Sequence, residues 1–190
     1  MIPKKSLGQN FLIDKNICKK ITNLTKLKDK TIIEIGPGKG ILTNEILSHN
    51  PKKIILIEKD SLLFNKLSKK YQKNKIFEIY NKDALNFNYK KYNNIILLSN
   101  LPYNISVKII YKLLKNRFFF NEIILMIQKE VAEKFDYKKK TKLNKHNFVI
   151  NTLCKFKIMF NISNNVFYPK PKVKSSIIKL IPNKNLNIDY

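Results

Sequence analysis

Two short stretches carry residue types that could do chemistry. Asn100-Leu101-Pro102-Tyr103 joins a neutral amide, a proline and an aromatic ring in consecutive positions. Proline restricts the residue before it to extended backbone. The Asn100 side-chain oxygen and the Leu101 carbonyl can therefore aim at one point. Two acceptors that converge on an exocyclic amine hold its hydrogens and turn its nitrogen lone pair toward an electrophile. Tyr103 can stack on a base drawn out of its helix. A buried turn with a core tyrosine would use the same residues.

The second stretch is Thr31 to Gly40, T-I-I-E-I-G-P-G-K-G, which holds three of the chain's four glycines. Ile32, Ile33 and Ile35 suit a buried parallel strand. Gly36-Pro37-Gly38-Lys39-Gly40 then breaks it, and a helix restarts at Ile41. Such a turn lets backbone approach a ligand closely, and the helix N-terminus behind it offers free N–H groups. The spacing is neither the phosphate loop G-x-x-x-x-G-K-[ST] nor the dinucleotide G-x-G-x-x-G, and a plain glycine-rich turn would also account for it. The next apolar run, Lys53 to Ile57, ends in Glu58. A carboxylate about 20 residues past the glycines suits a ribose diol. The ligand implied is a nucleoside, and without a Lys-Ser/Thr ending S-adenosylmethionine is preferred to a dinucleotide.

The elements that must position these residues alternate. Helix is expected over Ile13 to Leu24, Ile41 to Ser48, Asp60 to Tyr71, Ile105 to Leu114, Gln128 to Phe135 and 146 to 154. Strand is expected over 32 to 35, Lys53 to Ile57, Lys75 to Tyr80, Asn94 to Ser99, Glu122 to Ile127, Lys155 to Ile162 and Ser175 to Ile181. This order predicts βαβ units and a mostly parallel sheet with helices on both faces. In such a sheet ligands bind beyond the carboxyl ends of the strands. The glycines, Glu58, Asp83 and Asn100 all fall at such ends, and Asp83 there can accept from an adenine amine. Phe11 and Leu12, before the first helix, are apolar enough to dock on the fold. The run from 136 to 145 is lysine-rich and loop-like.

Composition limits the partners. Among 190 residues, 38 Lys and Arg stand against 13 Asp and Glu, a net charge of +25 that favours a polyanion. Arg117 is the single arginine. Lysine acts as a point charge on phosphate and is poorer at reading bases. No apolar run reaches bilayer length and the N-terminus has no apolar signal core, so no membrane partner is expected. Cys18 and Cys154 form no CxxC and read as reduced thiols of a cytoplasmic protein. His49 and His146 lack metal-ligand spacing, so no metal site is expected.

Five ordered motifs carry a family resemblance: Leu7 to Leu12 (L-G-Q-N-F-L), Glu34 to Gly40, Asn100 to Ser106 (N-L-P-Y-N-I-S), Gln128 to Glu133 (Q-K-E-V-A-E) and Phe167 to Ser175 (F-Y-P-K-P-K-V-K-S). From about residue 4 to 180 the chain resembles the ribosomal RNA adenine dimethyltransferases of the KsgA type. The erythromycin-resistance methylases of large-subunit rRNA are cousins, and the first and fourth motifs favour the KsgA type.

The resemblance implies a Rossmann-like class I methyltransferase fold with an antiparallel C-terminal strand, spanning 1 to 182 with a tail from 183 to 190. The family's helical C-terminal domain would be largely absent. It implies S-adenosylmethionine as donor and two adjacent adenosines of small-subunit rRNA as acceptors, in an immature small ribosomal subunit met by a monomer. Asn10, Leu12, Gly36, Gly38, Glu58, Asp83 and Asn100 would line the cofactor pocket. Asn100, Leu101, Pro102 and Tyr103 would hold the target adenine, with Phe167 stacked on its other face. Leu143 to Phe148 replaces a glycine-containing stretch of the family. The alternatives are a non-catalytic rRNA-binding assembly factor and an adenine methylase of another nucleic acid, such as large-subunit rRNA.

Overall fold

Alternation of isoleucine and leucine along the central strands sets the architecture. Side chains leave a strand on opposite faces in turn, so a strand apolar at every position must be covered on both sides. A computed structural model of the chain describes residues 8–137 and 142–186. Leu7 of the first motif, part of the lysine-rich run and the last four residues of the tail lie outside these.

The chain begins with a two-residue strand β1 (Phe11–Leu12) and helix α1 (Lys15–Thr22). Three β-α-β units follow, with β4 joined to β5 by short 3-10 turns: β2 (Thr31–Ile35), α2 (Ile41–Ser48), β3 (Lys53–Glu58), α3 (Ser61–Tyr71), β4 (Phe77–Asn81), β5 (Ile95–Asn100), α4 (Ser106–Lys115) and β6 (Phe120–Gln128). The chain ends with α5 (Lys129–Phe135), α6 (Lys145–Leu153), β7 (Cys154–Ile162), β8 (Phe167–Tyr168) and β9 (Ser175–Pro182). The large sheet has the order β4-β3-β2-β5-β6-β9-β7. Pairing is parallel from β4 through β6, and β9 lies antiparallel between β6 and β7.

Both faces are covered, as expected. Ile33, Ile55, Leu97 and Leu125 pack on one side with Ile109 and Leu113 of α4, Phe135 of α5 and Ile150 of α6. Ile32, Ile54, Leu56 and Leu98 pack on the other with Cys18 of α1, Ile46 of α2 and Leu67 of α3.

Local chemistry trims several expected boundaries. Asp14 caps α1 by accepting from the Asn16 and Ile17 N–H groups at 2.7 and 3.1 Å, so the helix starts at Lys15. Asn74 accepts from the Ile76 N–H at 3.2 Å, a side-chain turn that delays β4 to Phe77. Within the stretch Leu143 to Phe148, Asn144 and Asn147 form a reciprocal capping box that opens α6. The larger difference is β1. Phe11 and Leu12 dock as a strand, antiparallel to β8, with Leu12 opposite Phe167. Beyond β9, Asn183 N–H donates to the Leu153 carbonyl at 2.7 Å and Arg117 Nη2 to the Leu186 carbonyl at 2.6 Å. Among the described residues no helix is long and apolar enough to cross a membrane.

Leu97 is fully buried on central strand β5. Leu97→Ala should cost about 2–5 kcal/mol of folding stability, read as a lower urea midpoint. A loss near zero would show that this face of the sheet is not the packed core described.

Candidate active site

Parallel strands release their C-terminal ends on one edge, and the strand order reverses between β2 and β5, which parts the loops there. Gly36 and Gly38 follow β2, Glu58 ends β3, Asp83 follows β4 and Asn100 ends β5. All five line one cavity, together with Asn10, Leu12, Leu101, Pro102 and Tyr103. Ser99 Oγ donates to the Ile35 carbonyl at 2.5 Å and ties the two sides of the opening beneath it.

The glycine turn is tight for a stated reason. Gly38 has φ +59°, and a Cβ there would lie 3.0 Å from Phe11 Cδ1. The turn thus admits the Phe11 ring directly over its backbone. The Gly38 N–H donates to Glu58 Oε2 at 3.2 Å and the Asp60 N–H to Glu58 Oε1 at 2.9 Å. Burial pushes the Glu58 carboxyl above its ordinary range, and these amides draw it back.

The roof comes from the N-terminal segment. Gln9 Nε2 donates to Asp60 Oδ2 at 3.1 Å. Asn100 Nδ2 donates to the Asn10 carbonyl at 3.0 Å. That bond sets the Asn100 amide: its nitrogen is engaged by the roof, and its oxygen is the end left to accept from a ligand. Leu101 is buried and its N–H donates to the Met126 carbonyl at 3.2 Å, which fixes the turn to β6. Tyr103 Oη is 2.6 Å from Ser175 Oγ at the start of β9, so its ring is tethered at the far end. Burial holds the Tyr103 phenol above its ordinary value, hence neutral.

Two expected residues sit differently from a simple reading. Asp83 lines the cavity, yet Oδ1 accepts from the Leu85 N–H at 2.9 Å and Oδ2 from Lys59 Nζ at 2.8 Å. The Lys59 hydrogen bond holds its carboxyl below the ordinary range. Phe167 does not line the cavity. It is 3% exposed, in the core beside its cross-strand partner Leu12. Strand alternation is the cause: Phe167 points inward in β8, and Tyr168 points out.

Three groups went unnoticed in the sequence. Glu34 is 2% exposed, lines the cavity, and accepts from Thr43 Oγ1 at 2.7 Å. A carboxylate inside a run of isoleucines was the signal available. Lys39 and Gln9 also line the cavity. Among the described residues no group of three or more His, Cys, Asp or Glu could hold a metal ion.

The family model described as "Ribosomal RNA adenine dimethylase" matches residues 3–189. The chain belongs to the ribosomal RNA adenine dimethylase family. Ribosomal RNA small subunit methyltransferase A of Wolbachia pipientis subsp. Culex pipiens (strain wPip) is 43% identical over 187 residues, covering 95% of this chain and 70% of that relative. A crystal structure of a dimethyladenosine transferase from Plasmodium falciparum has a TM-score of 0.83 at 32% identity, covering 92% of this chain and 64% of that one. The 23S rRNA methyltransferase ErmE has a TM-score of 0.81 at 22% identity, covering 95% of this chain and 73% of that one. At that identity the likeness to ErmE concerns the fold alone. Family membership makes the chain an rRNA methyltransferase that uses S-adenosylmethionine, on the Rossmann-like fold described.

Burial raises the Glu34 carboxyl from its ordinary 4.5 to about 8, against the opposing Thr43 hydrogen bond. The folded state therefore holds this proton more tightly than the unfolded one. The stabilisation is complete below the ordinary value and is lost as pH rises through the folded value. Glu34→Gln mimics the neutral form. Its melting temperature should gain on the unmutated chain as pH climbs from about 4.5 to about 8. A gap that does not change with pH would refute the buried, protonated carboxyl.

Proposed function

We propose that the chain transfers methyl groups from S-adenosylmethionine to N6 of two adjacent adenosines near the 3′ end of small-subunit (16S) rRNA, during assembly of the small ribosomal subunit. The observation that carries this reading is the hydrogen bonding of Asn100 at the cavity wall. Its amide nitrogen is held by the Asn10 carbonyl, so its oxygen is the end left to accept from a purine amine.

The donor fits the residues present. The Cβ-less turn leaves room for a ligand against backbone at Gly36, and Glu58 is oriented by two amides with further lone pairs for a ribose diol. Asn10, Leu12 and Asp83 would complete this pocket; Asp83 would have to share its oxygens with Lys59 and the Leu85 N–H. S-adenosylmethionine supplies an already electrophilic sulfonium methyl, so the chain needs only to position, align and desolvate.

Asn100 Oδ1 and the Leu101 carbonyl would each accept one hydrogen of the adenine amine and point its lone pair inward. Pro102 keeps that turn extended, with φ −57° and ψ 126°. Tyr103, held by Ser175, would support one face of the base. A neutral Asn at position 100 suits a neutral amine, and the proton of the methylated product can pass to water. Phe167 is assigned to pack beside Leu12 of β1 rather than to stack on the base. Residues 1 to 182 form the catalytic unit, the protein is a cytoplasmic monomer, and no metal takes part.

Glu58→Ala should weaken S-adenosylmethionine binding by about 1–3 kcal/mol, the usual cost of unpairing charged hydrogen bonds. Isothermal calorimetry giving an unchanged affinity would remove Glu58 from the ribose.

Asn100→Ala tests the reaction itself. Methyl transfer to small subunits from a strain lacking the modification should fall roughly 100-fold or more, since the reacting nitrogen loses its alignment. RNA affinity should hold, because phosphate contacts dominate it. Turnover equal to the unmutated chain would exclude Asn100 from the mechanism. No transfer by the unmutated chain with donor bound would favour an assembly role without catalysis.

A further inference from the structure

The rim of the cavity carries an aromatic ring that the reaction described above does not use. Tyr168 is 56% exposed. It stands opposite Phe11 in the β1–β8 pairing. Phe11 and Lys39 both line the cavity. Lys39 Nζ lies 5.1 Å from the Phe11 ring centroid and 5.8 Å from that of Tyr168. The two rings and the ammonium thus form one cluster that runs from the cavity wall to solvent. Beyond Tyr168, the side chains of Lys170, Lys172 and Lys174 are exposed.

An exposed tyrosine normally costs little and does little. This one has three features that a solvated tyrosine lacks. Its ring is fixed by a strand whose alternate residue, Phe167, is locked in the core. A cation presented by the glycine turn, Lys39 Nζ, lies over its ring at 5.8 Å from the centroid. Its neighbourhood is cationic, in a chain whose net charge is +25. Fixed aromatic rings beside lysines are what an unpaired nucleobase and its phosphate require: the ring takes the base face, and the ammonium groups take the backbone.

We propose that Tyr168 is a stacking platform for the nucleotide next to the one in the cavity. This rests on the reading of the chain as an adenosine methyltransferase. A base drawn into the cavity leaves its neighbour without a stacking partner on that side. Tyr168, with Lys39 behind it, replaces that partner and sets how far along the strand the RNA sits. Where two adjacent adenosines are modified in turn, the platform holds one while the other reacts. Tyr168 is therefore a positioning residue, distinct from the groups at the reacting nitrogen.

The test is a binding cycle between protein and RNA. The probes are a single-stranded RNA oligonucleotide with two adjacent adenosines, and the same oligonucleotide made abasic at one or the other nucleotide flanking the bound adenosine. Tyr168→Ala should weaken binding of the intact RNA by about 5- to 150-fold, the worth of one stacked base. Tyr168→Phe should bind like the unmutated chain. On one of the two abasic RNAs the Tyr168→Ala penalty should vanish. A penalty of the same size on both abasic RNAs, no penalty on the intact RNA, or no measurable binding by the unmutated chain would each overturn the proposal. Tyr168 is exposed, so circular dichroism should report an unchanged fold in both variants. Methyl transfer to unmodified small subunits, measured in parallel on the unmutated chain, separates the two ideas. Loss of transfer with the cycle intact would fault the enzyme reading alone.

Discussion

One carboxylate holds three parts of this molecule together. Glu58 ends β3 and accepts the N–H of Gly38 from the turn after β2 and the N–H of Asp60 at the start of α3. Asp60 in turn caps α3 and receives the amide of Gln9 from the N-terminal segment. The turn, the helix start and the roof of the cavity are therefore referenced to one side chain. A buried carboxylate is costly to leave unpaired, which makes this arrangement hard to distort piecemeal.

The distribution of charge follows the same geometry. Glu34, Glu58 and Asp60 are all buried near the cavity. Other acids are engaged at the sheet edge and surface, as in the Lys53–Glu78 pair at 2.6 Å and the Lys179–Glu122 pair at 2.9 Å. The outward surface is therefore more uniformly cationic than the sum over the chain suggests. A cationic small molecule would meet the Glu58 carboxylate in the cavity wall, with Glu34 beside it held neutral by burial, and a polyanion would meet lysines outside.

The central sheet was legible because its strands carry long unbroken apolar runs and are punctuated by glycine, proline or asparagine. Ile54 to Ile57 and Ile95 to Leu98 can hardly be anything else. The strand-end residues were legible for the same reason, since their place follows once the strands are set. The β1–β8 pair was not. Two residues carry no periodicity, and their partner lies far along the chain. That same omission hid which of Phe167 and Tyr168 faces inward, because the phase of a strand is known only when its partner is known. Asp83 was legible as a strand-end acid but not in its pairing with Lys59, a contact between side chains 24 residues apart. Glu34 was overlooked because it sits within a motif valued for its glycines.

The β1–β8 pairing has a consequence for how the protein is made. Leu12 must wait for Phe167, which is 155 residues later by these register positions (167 − 12). At about 5–20 residues per second, synthesis spans roughly 8 to 30 s between them. During that interval β2 through β6 can be on hand, with their local βα connections formed, while the roof of the cavity has no strand to lie against. Vectorial synthesis thus builds the floor first and closes the chamber near its end. A nascent chain on the ribosome would carry an open, uncapped site until β8 emerges from the exit tunnel.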